Sequence, residues 1–146
     1  MQETMTSIGT AWAVTTLACT DIRAEKSFFT DKLGLQAMDM VDASQYAVVT
    51  AGHGTWISLY ERPTAVHCDA TAMAFVVDDI AKTVDELRGR DVTFEEYDMD
   101  WLRTVNGIAT NPDGSKAAWF KDPAGNILSL TEFSPAQKEM GQKMMG

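Results

Sequence analysis

The amino-acid sequence predicts an α+β chain built from paired βαβββ modules, and three observations carry that prediction. Short apolar stretches with the two-residue alternation of strands are set apart by turn residues. Two of them lead through an aspartate into a helical pattern. The segment WFKDPAGNILSL, residues 119–130, reads as strand, turn and strand, with Asp122, Pro123, Ala124, Gly125 and Asn126 supplying the turn.

Residues 1–10 read as a loose lead. Residues 11–19 have the apolar and threonine content of a buried strand, with Val14, Thr16 and Ala18 on one face. Asp21 is an N-cap for the helical stretch that follows, whose apolar side is Ile22, Phe28, Phe29 and Leu33, and Gly34 stops it. Extended pieces follow over 36–41, 46–51 and 55–60, the last two joined by Gly52, His53 and Gly54 as a hairpin turn. Trp56, Ser58 and Tyr60 share one face of the last piece, which completes a first module over 11–60.

Residues 61–70 are polar, contain Pro63 and carry no periodicity, so they connect two modules. The opening pattern then recurs: a strand over 72–77, Asp79 as N-cap, and Ile80, Val84 and Leu87 on a short amphipathic helix ending near Gly89. Laid over the first module, Val14 falls on Ala72, Leu17 on Phe75, Asp21 on Asp79 and Ile22 on Ile80, a weak internal repeat. Residues 92–97 read as the next strand, 98–115 as an irregular stretch, and 116–121 with 126–133 as the closing hairpin. The second module spans 71–132, so a single domain covers 11–132. The polar, Met-rich tail 133–146 leaves disorder and a short peripheral helix both open.

A chain of 146 residues, 45% hydrophobic, is long enough to bury a substantial interior. No apolar run approaches the roughly 18 residues of a membrane span, and MQETMTSIGT lacks the regions of a signal peptide, so a cytoplasmic protein is expected. Twelve Lys and Arg against 21 Asp and Glu give a formal charge of -9, which repels nucleic acid and anionic membranes and favours cationic ligands. Cys19 and Cys68 form no CxxC pattern, and no disulfide is expected.

Three segments, 17–35 (LACTDIRAEKSFFTDKLGL), 74–80 (AFVVDDI) and 117–130 (AAWFKDPAGNILSL), resemble the vicinal oxygen chelate superfamily, which includes glyoxalase I, extradiol dioxygenases, fosfomycin resistance enzymes and bleomycin resistance proteins. The resemblance implies modules paired into a curved mixed sheet around a cavity, within one chain or across a homodimer. It also implies where a metal would sit in metal-dependent members. Those positions fall here on Val14, Ser58, Ala72 and Ser129, none of which is a usual ligand, and their immediate neighbours hold no His, Asp or Glu. No metal and no cofactor are therefore expected, and the closest likeness in character is to the family's metal-free binding members.

The face carrying those four positions would also present Thr16, Trp56, Tyr60 and Ala74, with Val76, Ile127 and Thr131, an apolar and aromatic lining with a few hydroxyls. Trp56 and Tyr60 suit a planar or cationic ligand. Tyr97, Trp101 and Trp119 are candidates at the cavity mouth, Trp101 as a lid, and Arg103 reads as a surface residue. His53 and His67 read as surface histidines; Glu61 and Glu132 stand where a rim base or cation partner could be, with solvent-facing carboxylates the plainer reading. The leading expectation is a metal-independent binding protein for an aromatic or cationic natural product or drug, with antibiotic resistance as its setting. The alternatives are a cofactor-free isomerase, lyase or cyclase drawing on Tyr60, Glu61, Tyr97 or Asp98, and a structural or regulatory domain.

Overall fold

A computed structural model describes residues 7–38, 45–64 and 68–145. The first module comprises β1 (Thr15–Cys19), α1 (Ile22–Ser27), β2 (Gln36–Ala37), β3 (Tyr46–Thr50) and β4 (Trp56–Glu61). The second begins with β5 (Thr71–Val76) and α2 (Ile80–Arg88). It continues through a small hairpin of β6 (Asp98–Met99) and β7 (Leu102–Arg103), then β8 (Ala109–Thr110), β9 (Lys116–Lys121) and β10 (Ile127–Glu132). A closing helix, α3, runs over Pro135–Met145.

The strands form two four-stranded sheets of matching order, β1-β4-β3-β2 and β5-β10-β9-β8. In each, the first strand of the module lies parallel to the last, and the remaining pairs are antiparallel. That parallel pairing needs a crossover, which α1 and α2 supply. Both helices start as their aspartates dictate: Asp21 accepts from the amides of Arg23 and Ala24, and Asp79 from that of Lys82. A second carboxylate reinforces each start. Glu61, at the end of β4, accepts from the Ile22 amide at 2.9 Å, and Glu132, at the end of β10, accepts from the Ile80 amide at 3.0 Å.

One core joins the two modules. Leu17, Cys19, Ile57, Leu59, Ala47 and Val49 contribute from the first sheet, and Leu128, Leu130, Ala118 and Phe120 from the second. Past Ser27 the helix widens into a π-type turn over Phe28–Lys32, closed by the Leu33 amide on the Phe28 carbonyl. This carries Phe28 to 6.2 Å from Phe120 and Phe29 into full burial.

Several expected bounds are corrected. The first strand begins at Thr15 rather than residue 11, because its ladder with β4 starts at Thr15↔Ile57; Ser7–Thr10 form a 3-10 turn, and Val14 lies ahead of the strand. The strand expected over 92–97 is absent. Only Phe94 bridges to Phe120, with the Glu95 amide bonded to the Trp119 carbonyl, since the start of β9 is paired instead with β8. The irregular stretch 98–115 holds the β6–β7 hairpin and β8. The piece expected over 36–41 shortens to Gln36–Ala37, with part of 36–41 outside the described residues, as are His67 and most of the lead. The tail forms a helix through Met145. No helix among the described residues is long and apolar enough to cross a membrane.

Candidate functional site

The sheet faces turned away from the core carry the residues singled out in the sequence. In the first sheet Thr16, Ser58 and Val48 form one row across β1, β4 and β3. In the second, Ala74, Ser129 and Trp119 form the corresponding row across β5, β10 and β9. The two serines are equivalent in the two modules and both are buried, as are Val48 and Ile127 beside them. Ser58 Oγ lies 3.2 Å from the Tyr46 hydroxyl, so its hydrogen-bonding capacity is partly spent within the sheet. Ala72 sits in the β5 bulge opposite the Ile127/Leu128 step, without a partner of its own in β10.

Aromatic residues flank both rows. Trp56 meets Trp12 edge to face at 5.3 Å, and Tyr60 follows on the same face of β4. Trp119 packs edge to face on Tyr97 at 5.5 Å and donates its indole N–H to Thr71 Oγ1 at 3.1 Å. Trp101, by contrast, stands at the tip of the β6–β7 hairpin, 78% exposed. Its neighbours Arg103 and Asp98 form an exposed ion pair at 3.6 Å, which contributes little.

Among the groups weighed as acids or bases, several are committed elsewhere. Glu61 and Glu132 hold helix amides, as described above. Burial first, and then the charges of Glu95 and Asp69, hold the Tyr97 phenol above its usual value, so it stays protonated and can donate. The four positions at which metal-dependent relatives would hold an ion present two alkyl groups and two hydroxyls, one of them engaged by Tyr46. That donor set does not fit a divalent cation. Among the described residues no group of three His, Cys, Asp or Glu is arranged to hold a metal.

Sequence reasoning missed two features. A groove of about 550 Å³ opens where β5 ends, lined by His53, Val76, Val77 and Asp78 against Phe133 and Lys138 at the α3 end. It meets the expected face only at Val76, and a tail without clear periodicity offered no sign that α3 would form its wall. The second is Glu25, wholly buried on α1, with Asp122 from the second module's turn beside it. The signal was present: Ile22, Glu25 and Phe29 share the apolar stripe at i, i+3 and i+7.

Several solved structures share this architecture. A lactoylglutathione lyase from Agrobacterium tumefaciens is 19% identical, with a TM-score of 0.63 over 84% of this chain and 93% of that one. A glyoxalase family protein from Enterococcus faecalis is 16% identical, with a TM-score of 0.65 over 86% and 99%. The fosfomycin resistance protein FosX from Mesorhizobium loti is 11% identical, with a TM-score of 0.60 over 89% and 98%. At such identities the likeness speaks for fold alone. No curated protein sequence matches the chain at a significant level. The family profile is more direct, since it spans residues 12–130 and so takes in both βαβββ modules and the DPAGN turn between β9 and β10. By its repeated modules, its sheet order and that match, the chain belongs to the Glyoxalase/Bleomycin resistance protein/Dioxygenase superfamily.

Proposed function

We propose that this protein binds a small aromatic or cationic molecule without the help of a divalent metal, on the sheet face that carries Ser58 and Ser129. The observation that carries the reading is the donor set at residues 14, 58, 72 and 129, which offers hydroxyls and alkyl groups where a metal-dependent relative would offer charged ligands. Trp56, Trp12 and Tyr60 supply aromatic surface beside it, and the net charge of -9 favours a cation. The likeness to fosfomycin resistance proteins agrees with a resistance setting in which a drug is held.

A homodimer belongs to the same reading. Val76 is 58% exposed and Trp12 75%, and Ala72 and Ala74 are open to solvent, so a second copy laid on this side would cover apolar surface. The competing reading, a cofactor-free isomerase, lyase or cyclase, needs an acid or base on this face. Glu61 is taken by a helix amide, Asp98 by Arg103, and the Tyr97 phenol is held protonated, which leaves Tyr60 as a base and Tyr97 only as an acid.

The test is tryptophan fluorescence against planar cationic dyes and fused-ring antibiotics, with fosfomycin as a non-aromatic control, together with metal analysis of the purified protein. Saturable quenching by the planar cations, weakened at least tenfold by Trp56→Ala, is the expected result. Stoichiometric divalent metal in the protein, or no response to any aromatic compound, overturns the proposal.

A further inference from the structure

The buried Glu25 has no role in the binding face, and its surroundings set a chemical problem. It is 0% exposed, and among the described residues neither carboxyl oxygen has a hydrogen-bond partner of good geometry. An ionised carboxylate stripped of water and donors is costly. The group beside it is Asp122, itself only 4% exposed.

Asp122 is plainly the acceptor of the two. Its Oδ1 accepts from the Asn126 amide and its Oδ2 from Asn126 Nδ2, both at 2.8 Å. The same Asn126 Nδ2 donates to the Ala18 carbonyl at 3.0 Å, which ties the turn of the second module to β1 of the first. With Asn126 already engaged by Asp122 and Ala18, Glu25 gains a strong partner by carrying a proton and donating it to Asp122.

We propose that Glu25 and Asp122 share one buried proton across the seam between the modules, and that this proton latches the DPAGN turn against β1 and α1. Loss of the proton to solvent base leaves two adjacent carboxylates with no water, and the turn must then lift from β1 to hydrate them.

Among the described residues the surroundings offer no compensating cation. From β1 the Cys19 thiol faces the pair, pushed up to about 11 by burial first and by the charge of Glu25 next, so it stays neutral. Glu61, at the end of β4, and Asp122 add further negative charge around that thiol. Lys32 and Lys121 line a shallow recess outside Asp122, but Lys121 pairs with Glu95 at 3.7 Å and Lys32 Nζ reaches the Asp91 carbonyl. Burial, then the hydrogen bond and charge of Asp122, raise Glu25 to about 9, against the weaker opposite pull of the Ala124 amide and the Asn126 side chain.

Unfolded, Glu25 ionises near 4.5; folded, it holds its proton to about 9. The native state therefore binds the extra proton between those values, so this group's contribution to stability is full below 4.5, declines as pH rises, and is lost above about 9.

The experiment compares the full-length wild type with Glu25→Gln, which keeps the shape and cannot ionise. In the wild type, infrared spectra at pH 7 should show a protonated carboxylic acid band that Glu25→Gln lacks. Calorimetric unfolding at pH 7 in buffers of different ionisation enthalpy should release close to one proton more than in the variant. Amide exchange at Gly125 and Asn126 should speed at least tenfold in the wild type between pH 7 and 10, beyond the intrinsic change, and not in Glu25→Gln. A wild type lacking the acid band, or whose folded state is stabilised by added sodium, potassium or calcium instead, has a cation in the place of the proton, and the proposal fails. It fails equally if exchange at the turn follows the same pH course in both proteins. The infrared reading on the wild type decides the matter even if the variant does not fold.

Discussion

The two modules build the same turn and use it differently. In each, the last two long strands of the sheet are joined over positions of equal length, 51–55 and 122–126. In both turns the first residue's amide donates to the last residue's carbonyl at 3.0 Å, from Ala51 to Thr55 and from Asp122 to Asn126. Gly54 and Gly125 occupy the same place, at φ of 71° and 90°, where a side chain would be strained. The side chains then part company. Asp122 and Asn126 bond to each other and reach Ala18, so the second turn docks on the first module. Ala51 has no such group, the Thr55 hydroxyl closes back on the Gly52 carbonyl at 2.7 Å, and a groove stays open between His53 and Val76. Backbone shape is common to both ends; reach of the side chains decides which end closes.

The largest effect that sharpens this contrast lies in the core beneath the closed end. Phe120 is fully buried, packs on Phe94 at 5.5 Å and meets Phe28 from the other module. Phe120→Ala should cost about 3–5 kcal/mol in urea unfolding. Val76→Ala, at the open end and 58% exposed, should change stability by less than about 0.5 kcal/mol. Similar costs at both sites would mean that the groove is closed in solution and that the two ends are alike.

A middle-sized effect tests what the modules share. Glu61 and Glu132 hold the first amides of α1 and α2 in the same way, so Glu61→Ala and Glu132→Ala should each cost about 1 kcal/mol. Near-equal losses in chemical unfolding support the equivalence. A markedly greater loss at one position would show that its carboxylate does more than cap a helix.

Much of this is legible in the sequence, and the reason is periodicity. Asp21 and Asp79 announced both helices, and the DPAGN turn announced its hairpin, because caps and turns are local chemistry. Strand alternation set Ser58 on a face with Trp56 and Tyr60, and Ser129 on a face with Ile127 and Thr131; that the two serines correspond came from the family resemblance. What alternation could not reveal was pairing. Residues 92–97 have strand composition, but whether they join a ladder depends on β8 reaching the start of β9 first. Glu61 and Glu132 read as solvent-facing carboxylates, or as a rim base or cation partner, because their true partners, the Ile22 and Ile80 amides, lie far off in sequence. The burial of Glu25 was legible from its place on the apolar stripe, but its partner was not, because Asp122 belongs to the other module.

The smallest effect asks whether burial of a glutamate on the helix, by itself, explains the behaviour of the closed end. The internal repeat that aligns Asp21 with Asp79 brings Glu25 onto Thr83 of α2. Thr83 is only partly buried, and its hydroxyl bonds to the Asp79 carbonyl at 3.0 Å. Thr83→Glu places the same side chain at the equivalent site, with no docked aspartate facing it. Glutamate favours helix more than threonine does, so stability at pH 7 should move by less than about 0.5 kcal/mol. No new pH dependence should appear between 5 and 9, because a half-exposed carboxylate keeps its water and ionises in the folded state as it does in the unfolded one. Thermal unfolding across that range, on a Glu25→Gln background to silence the first site, is the measurement. A slope approaching 1.4 kcal/mol per pH unit, the limit for one proton, would show that helix position rather than the facing turn raises the glutamate, and the contrast between the two ends would lose its cause.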